Sequence, residues 1–398
     1  MNSDSRNSIF IRCCYGYAVS GMAVLVIGAI LPSIIKEAGI SFLAAGGLLS
    51  VMAIGNLSSS FIFPVMVPIM GKKRAITLVT LFVPSSLMVL SLLPPLPVMY
   101  AVMLLYGFTR GCITILNNAA VNDIYGDSAT GKLNILHCTF AIGAFLAPLL
   151  TAMMMKLGLG WRVTLYMIVI LTIISAISYG TMNYDLINQA QKEIEVRKSK
   201  AKSTAAGNKG FLRSFAFYCI AFILFFYLGV ENCINGWFVT YLQNTGVMSA
   251  EFATTLVSLT WLVIMGGRLL CAAMSKKVHR STILLINSIG SAVCFFILIK
   301  VNSLPLVTAS LLGLGFFLSG IYPTCIANAG PLIQGSTLGM SLLTAISAMG
   351  GIITPQLVGG VADRVGIVAA ISILVFNVIF VIVLSAVNFK IWHQKKKV

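Results

Sequence analysis

The chain has 398 residues, of which 58% are hydrophobic and only 9% are Asp, Glu, Lys or Arg, with a formal net charge of +17. A soluble domain places about 25% of its residues as charges so that water can solvate its surface, which excludes an ordinary soluble fold here. A mean hydropathy of +0.98 excludes disorder, which needs low hydrophobicity, and leaves lipid as the expected solvent.

A spanning helix needs about 20 apolar residues whose backbone groups are satisfied within the segment. Taken in chain order, uncharged windows of that kind fall at 13–35, 42–67, 75–93, 98–121, 133–155 and 163–182, then at 215–241, 252–274, 282–299, 304–327, 337–358 and 365–387. The first window is longer than a signal-peptide core and is read as a retained helix. The least marked boundary lies between the tenth and eleventh windows, because residues 301–362 carry no charge. There Asn328, Gly330 and Pro331, followed by Gln334, Gly335 and Ser336, are expected to supply the turn.

With the N-terminus inside, most of the 27 basic residues fall on one side. These are Arg6 and Arg12, Lys72 to Arg74, Lys132, the residues of a central linker, Lys276, Lys277 and Arg280, and the C-terminal lysines. The positive-inside rule then expects both termini in the cytoplasm of a multi-pass protein, most simply in the plasma (cell inner) membrane. Basic clusters at helix ends reflect insertion and anionic lipid rather than nucleic-acid binding, so the partners expected are the bilayer and a small solute, on a monomer. The nine cysteines lie mainly in apolar windows without a C-x-x-C spacing and read as small buried hydrophobes, with Cys13 and Cys14 as candidate acylation sites.

The only long polar stretch, 183–209, separates six windows from six. The expected organisation is an N-terminal six-helix bundle (1–182), a cytoplasmic linker (183–212) with a helix-prone part at 189–202, and a C-terminal six-helix bundle (213–398). A weak repeat relates the bundles. Gly143 precedes Pro148 by five residues in the fifth window, as Gly350 precedes Pro355 in the eleventh, each followed by a glycine and arginine loop. Such repeats accompany transporters in which two halves rock about a midplane site, although Gly and Pro also serve close packing and bending.

Several segments carry a resemblance. They are Leu133-Asn134-Ile135-Leu136-His137 with Gly143 and Ala147-Pro148-Leu149; Tyr227-Leu228-Gly229-Val230-Glu231; Gly236-Trp237-Phe238-Val239-Thr240-Tyr241; Trp261 with Gly267-Arg268; Ser319 to Thr324; and Gly350 to Pro355. In these the chain resembles the major facilitator superfamily, and within it the fucose/hexose permease branch with its sodium-dependent glucose transporter-like members. The resemblance implies an all-α integral membrane fold, twelve transmembrane helices in two pseudo-symmetric six-helix bundles. One departure stands out: the loop Gly71-Lys72-Lys73-Arg74 lacks the acidic residue that usually precedes this basic cluster in the superfamily.

Ionisable side chains inside spans are costly and mark function by default. Arg110, Glu231 and Arg268 are the charged ones, with His137 near one end of the fifth span. Tyr227, Glu231 and Asn235 recur every four residues and share a helical face, as do Arg110, Thr114 and Asn117 or Asn118. Sugars pair hydroxyls with apolar C–H faces, so Asn117, Asn118, Asn235 and Glu231 are candidate hydroxyl partners. Trp237 and Trp261 are candidate plates, and His137 and Tyr227 complete the substrate set. Glu231 and Arg110 are the ion-coupling candidates, as a pair across the halves; Asp123 and Arg268 are the gating candidates. No metal site is expected from the scattered His137, His279 and His393, no ATP-binding loop is present, and no cofactor is needed beyond a coupling proton or sodium ion.

The expectation is therefore a secondary transporter, not an enzyme, moving a small polar solute, foremost a neutral sugar, by alternating access with proton or sodium symport. Efflux of drugs or organic anions stays open, since Arg110 suits an anion. So does uniport, because the chain lacks the first-span carboxylate that some sugar permeases of this branch use.

Overall fold

The structure is a computed structural model that describes residues 3–125, 129–189, 209–275, 277–333 and 336–394, which form helices with no strand among them. In the first half the helices are α1 (Ser3–Ala38), α2 (Phe42–Met70), α3 (Lys72–Ser91), α4 (Leu96–Tyr125), α5 (Ala129–Lys156) and α6 (Trp161–Gly180). In the second they are α7 (Phe215–Asn244), α8 (Ala250–Met274), α9 (Arg280–Leu298), α10 (Leu304–Leu318), α11 (Ile321–Ile333), α12 (Thr337–Val365), α13 (Ile367–Ala370) and α14 (Leu374–Gln394). With α10 and α11 forming one rod and α13 and α14 another, twelve of these are long and apolar enough to cross a membrane. The chain is thus an all-α multi-pass membrane protein. Its solvent shows on the helix faces: on α6, Leu165 and Ile168 are buried while Ile170 and Ile177 are exposed, an arrangement that lipid tolerates on both sides.

Packing divides the chain into two compact units, Met1–Ile34 with Val51–Ala205, and Ile35–Ser50 with Ala206–Val398. The start of α2 therefore packs with the second unit. Asp363 of α12 accepts from the backbone amides of Phe42 (2.7 Å) and Leu43 (3.0 Å), and the Ser50 hydroxyl donates to the Ile352 carbonyl at 2.6 Å. Asp363 thereby does for α2, from more than 300 residues away, what an N-cap side chain normally does from next door.

The repeated glycines are points of backbone contact. In the first unit a side chain at Gly143 of α5 would strike the Ala18 carbonyl of α1, and in the second a side chain at Gly350 of α12 would strike the Phe225 carbonyl of α7. Only glycine permits helix axes to approach so closely. Several buried hydroxyls are satisfied locally, as in Thr80 to the Ile76 carbonyl (2.8 Å) and Thr151 to the Ala147 carbonyl (2.9 Å), the usual solution where no water is at hand.

Two expectations need correction. Asn328, Gly330 and Pro331 do not form the turn after the tenth span, because α11 continues through Pro331 to Ile333. The next helix starts after Ser336, whose hydroxyl accepts from the Gly339 amide at 3.2 Å; Gln334 and Gly335 lie outside the described residues. The break in that span falls earlier, at Ser319-Gly320, between α10 and α11. Secondly, Cys13 is fully buried in α1, so an acyl chain on its thiol would have to displace core packing. The helix expected at 189–202 lies, apart from Gln189, outside the described residues, as do Lys276 and Lys395 to Lys397.

Candidate substrate and coupling site

Within the second unit, α7 aligns Tyr227, Glu231 and Asn235 on one face through its four-residue spacing. The Tyr227 hydroxyl donates to the Glu231 carboxylate. From α8 the Arg268 guanidinium reaches the same carboxylate, Nη2 to Oε1 at 4.0 Å, with the Arg268 side chain 35% and the Glu231 side chain 19% exposed. Tyr322 of α11 brings its ring to 6.2 Å from that of Tyr227. The Asn235 amide oxygen, one turn beyond Glu231, is buried without a hydrogen-bond partner, and Trp261 lies two turns before Arg268 on α8, 4% exposed. Three helices thus assemble a carboxylate, a guanidinium, an unspent amide and two phenols.

The ion pair is long for a direct hydrogen bond and open enough for water to reach. Inside a span neither charge is left uncompensated cheaply, so Glu231 can leave Arg268 only for another partner. A proton, a metal cation or a polyol hydroxyl that engages Glu231 competes with Arg268 as such a partner.

Trp237, expected as a plate for substrate, is placed differently. Its indole is completely buried, its N–H donates to the Pro355 carbonyl at 3.0 Å, and its ring lies 6.1 Å from that of Phe42. This is a packing role: α12 carries Pro355 inside the helix, and the indole N–H adds a donor from α7 to that residue's carbonyl. Beside it, Asn377 of α14 donates to the Phe226 carbonyl (3.2 Å) and to the Thr354 hydroxyl (3.3 Å), tying α7, α12 and α14 together.

The first unit uses its polar residues inwardly. Asn117 is wholly buried and accepts from the Tyr179 hydroxyl of α6 at 2.9 Å. Its neighbour Asn118 is half-buried, with its amide oxygen buried and unpaired. Arg110 lines a cavity of about 20 Å³ inside this unit with Ser20, Thr80, Tyr106 and Thr172, space for about one water molecule. His137 is exposed on α5 and stands edge-on to Tyr17 of α1, hydroxyl to Nδ1 3.5 Å. Asp123 at the end of α4 pairs with Lys72 at the start of α3 at 3.7 Å. The acidic partner missing from the Gly71–Arg74 loop is thus supplied by another helix.

Sequence reasoning met Tyr322 only within the segment Ser319 to Thr324 and gave Asp363 no role. Neither residue carries a local signal, since both act on partners far along the chain. Arg268 was legible as an embedded charge, and its occurrence in the same half as the only embedded carboxylate was the available clue to their pairing.

Comparison with known proteins agrees with this architecture. Sodium-dependent glucose transporter 1A of Mus musculus is 23% identical over 290 residues, which cover 61% of this chain and 66% of that protein. A glucose/galactose transporter of Brucella abortus is 26% identical over 146 residues, 36% of this chain and 35% of that one. The chain thus spans slightly less than two thirds of the mouse relative and about a third of the bacterial one. Among solved structures, the D-xylose-proton symporter superposes with a TM-score of 0.77 at 13% identity, covering 96% of this chain and 97% of its own; at that identity the likeness concerns the fold. Residues 13–340 match the family model described as Major Facilitator Superfamily, and the chain belongs to that superfamily.

Proposed function

We propose that this protein is a secondary transporter that moves a neutral sugar by alternating access, with a proton or sodium ion as the coupled species. The observation that carries the reading is the Tyr227–Glu231–Arg268 cluster: one carboxylate inside the spans, held loosely by a phenol and a guanidinium of its own unit. When Glu231 takes up a proton or ligates sodium, its attraction for Arg268 weakens, and the guanidinium and Tyr227 hydroxyl become available to sugar hydroxyls. Ion binding and solute binding then favour each other, as symport requires. Trp261 supplies an apolar surface for the sugar's C–H face, and Asn235 an acceptor. Asn118 and His137 are proposed as further solute contacts, and Asp123 as a gating residue through its pair with Lys72. The names of the sugar-transporting relatives support the choice of solute.

Direct capture of an organic anion by Arg110 in its own cavity is disfavoured by size, since about 20 Å³ admits little more than water.

The test is uptake of labelled hexoses and pentoses into proteoliposomes under an imposed sodium or proton gradient. Saturable sugar uptake is expected to follow one of the two gradients, to fall about tenfold or more in Glu231→Gln, the loss of one charge-assisted interaction, and to persist in Arg110→Lys. Uptake independent of both gradients indicates uniport. Transport of organic anions with no sugar uptake overturns the assignment.

A further inference from the structure

A second cavity, of about 240 Å³, opens at one end of the second unit, where the loop between α8 and α9 meets the last turns of α11 and α14. It shares no residue with the Glu231 cluster. Its lining includes Ser275, His279, Arg280, Asn328 and Trp392.

Two of the polar side chains here, Arg280 and Asn328, keep donor capacity, while Ser275 and Trp392 spend theirs on the Ala272 carbonyl and the Asn388 side chain. Arg280, an exposed residue, uses one guanidinium nitrogen to hold the Ala327 carbonyl at 2.8 Å, which fixes the side chain beside the cavity while further N–H groups stay in hand. His279 caps α9, its ring packed edge-on against His393 at 5.4 Å. Asn328 is only 3% exposed, and its amide nitrogen has no hydrogen-bond partner. A buried donor left unpaired costs about 1–3 kcal/mol, and Asn328 lines this cavity, so a turn of its amide toward the cavity would pair the nitrogen with an acceptor held there. The first turn of α9 adds the positive end of a 19-residue helix. Finally, residues 275–280, 321–333 and 385–394 contain no carboxylate, whereas Lys277 and Lys390 add exposed cations nearby. The site is built to repel cations and to attract an anion rich in acceptor oxygens.

We infer that this cavity binds a phosphate-bearing anion, with Arg280 and the Asn328 amide as its principal donors. Because the cavity sits where helices leave the apolar layer, the phosphate can come from the headgroup of an anionic lipid or from a soluble phosphate.

The experiment uses the full chain in phosphatidylcholine nanodiscs, in the same discs with phosphatidic acid added, and in phosphatidylcholine discs with inorganic phosphate. Thermal unfolding and native mass spectrometry of bound lipid are read in each. Wild type is expected to unfold at a higher temperature with phosphatidic acid, with phosphate, or with both. A response to phosphatidic acid alone identifies a headgroup, and an equal response to free phosphate identifies a soluble anion. Asn328→Asp, which keeps the size and reverses the chemistry, and Arg280→Gln at an exposed position are each expected to weaken binding about tenfold or more. Their unfolding in plain phosphatidylcholine reports whether they are folded, and Arg280→Gln decides if Asn328→Asp is not. No response in wild type to either anion overturns the inference, as does a response that survives unchanged in the folded variants.

Discussion

The two units share a construction device and differ in what they do with their polar residues. Gly143 lets α5 touch α1, and Gly350 lets α12 touch α7, each against a backbone carbonyl. Around those crossings the first unit turns Asn117 into its own core against Tyr179 and lines a small cavity with Arg110, whereas the second assembles Tyr227, Glu231 and Arg268 into a loosely held, partly open cluster. The difference teaches that a repeat in packing residues does not carry a repeat in chemistry. Close crossings recur because helices in lipid associate by backbone proximity, while the coupling chemistry needs to be built only once.

The comparison can be broken first at the crossings. Gly143→Leu and Gly350→Leu should each destabilise by more than about 3 kcal/mol, because the obstructing atom is a carbonyl that cannot rotate away; thermal unfolding in detergent checks this. If one variant is tolerated, the two crossings are not equivalent. Next, the Glu231 cluster should separate function from stability: Arg268→Lys, which keeps the charge beside Glu231 but not the planar fork, is expected to lower uptake about tenfold or more with little change in stability. Asn117→Ala should do the reverse, costing about 1–2 kcal/mol with solute affinity unchanged. A large loss of affinity there would mean that Asn117 itself contacts the solute.

Smaller effects sharpen the second unit. Trp237→Phe removes the donor to the Pro355 carbonyl and should cost about 1 kcal/mol without altering solute Kd, which distinguishes a packing indole from a sugar plate. Asp363→Ala uncaps α2 and should cost about 1 kcal/mol, with Asp363→Asn intermediate. The half-buried pair partner Lys72, at the start of its helix, should matter least, Lys72→Gln changing stability by about 1 kcal/mol.

Much of the fold was legible because lipid imposes a simple rule. A helix that must satisfy its backbone internally needs a long uncharged run, and such runs are visible residue by residue. The rule failed at Asn328 to Pro331, where turn-forming residues sit inside α11, since a membrane helix tolerates Gly and Pro when its freed backbone groups find other partners. The embedded charges were equally visible, but their partners were not. Glu231 and Arg268 are 37 residues apart and meet only because α7 and α8 pack together; nothing in either local pattern says so. Trp237 shows the opposite error, an aromatic read as solute-facing that the tertiary structure consumes on Pro355.

By itself the sequence determined the solvent, the helical class, the number of spans and the short list of residues able to carry charge in an apolar medium. These follow from composition and run length, which act through each segment alone. Only the tertiary structure decided which polar groups meet: Asn117 with Tyr179, Arg268 with Glu231, Asp123 with Lys72, and Asp363 with the start of α2. Pairing depends on the rotation and crossing of whole helices, which is set by many weak contacts at once and by glycines whose effect appears only when a second backbone arrives.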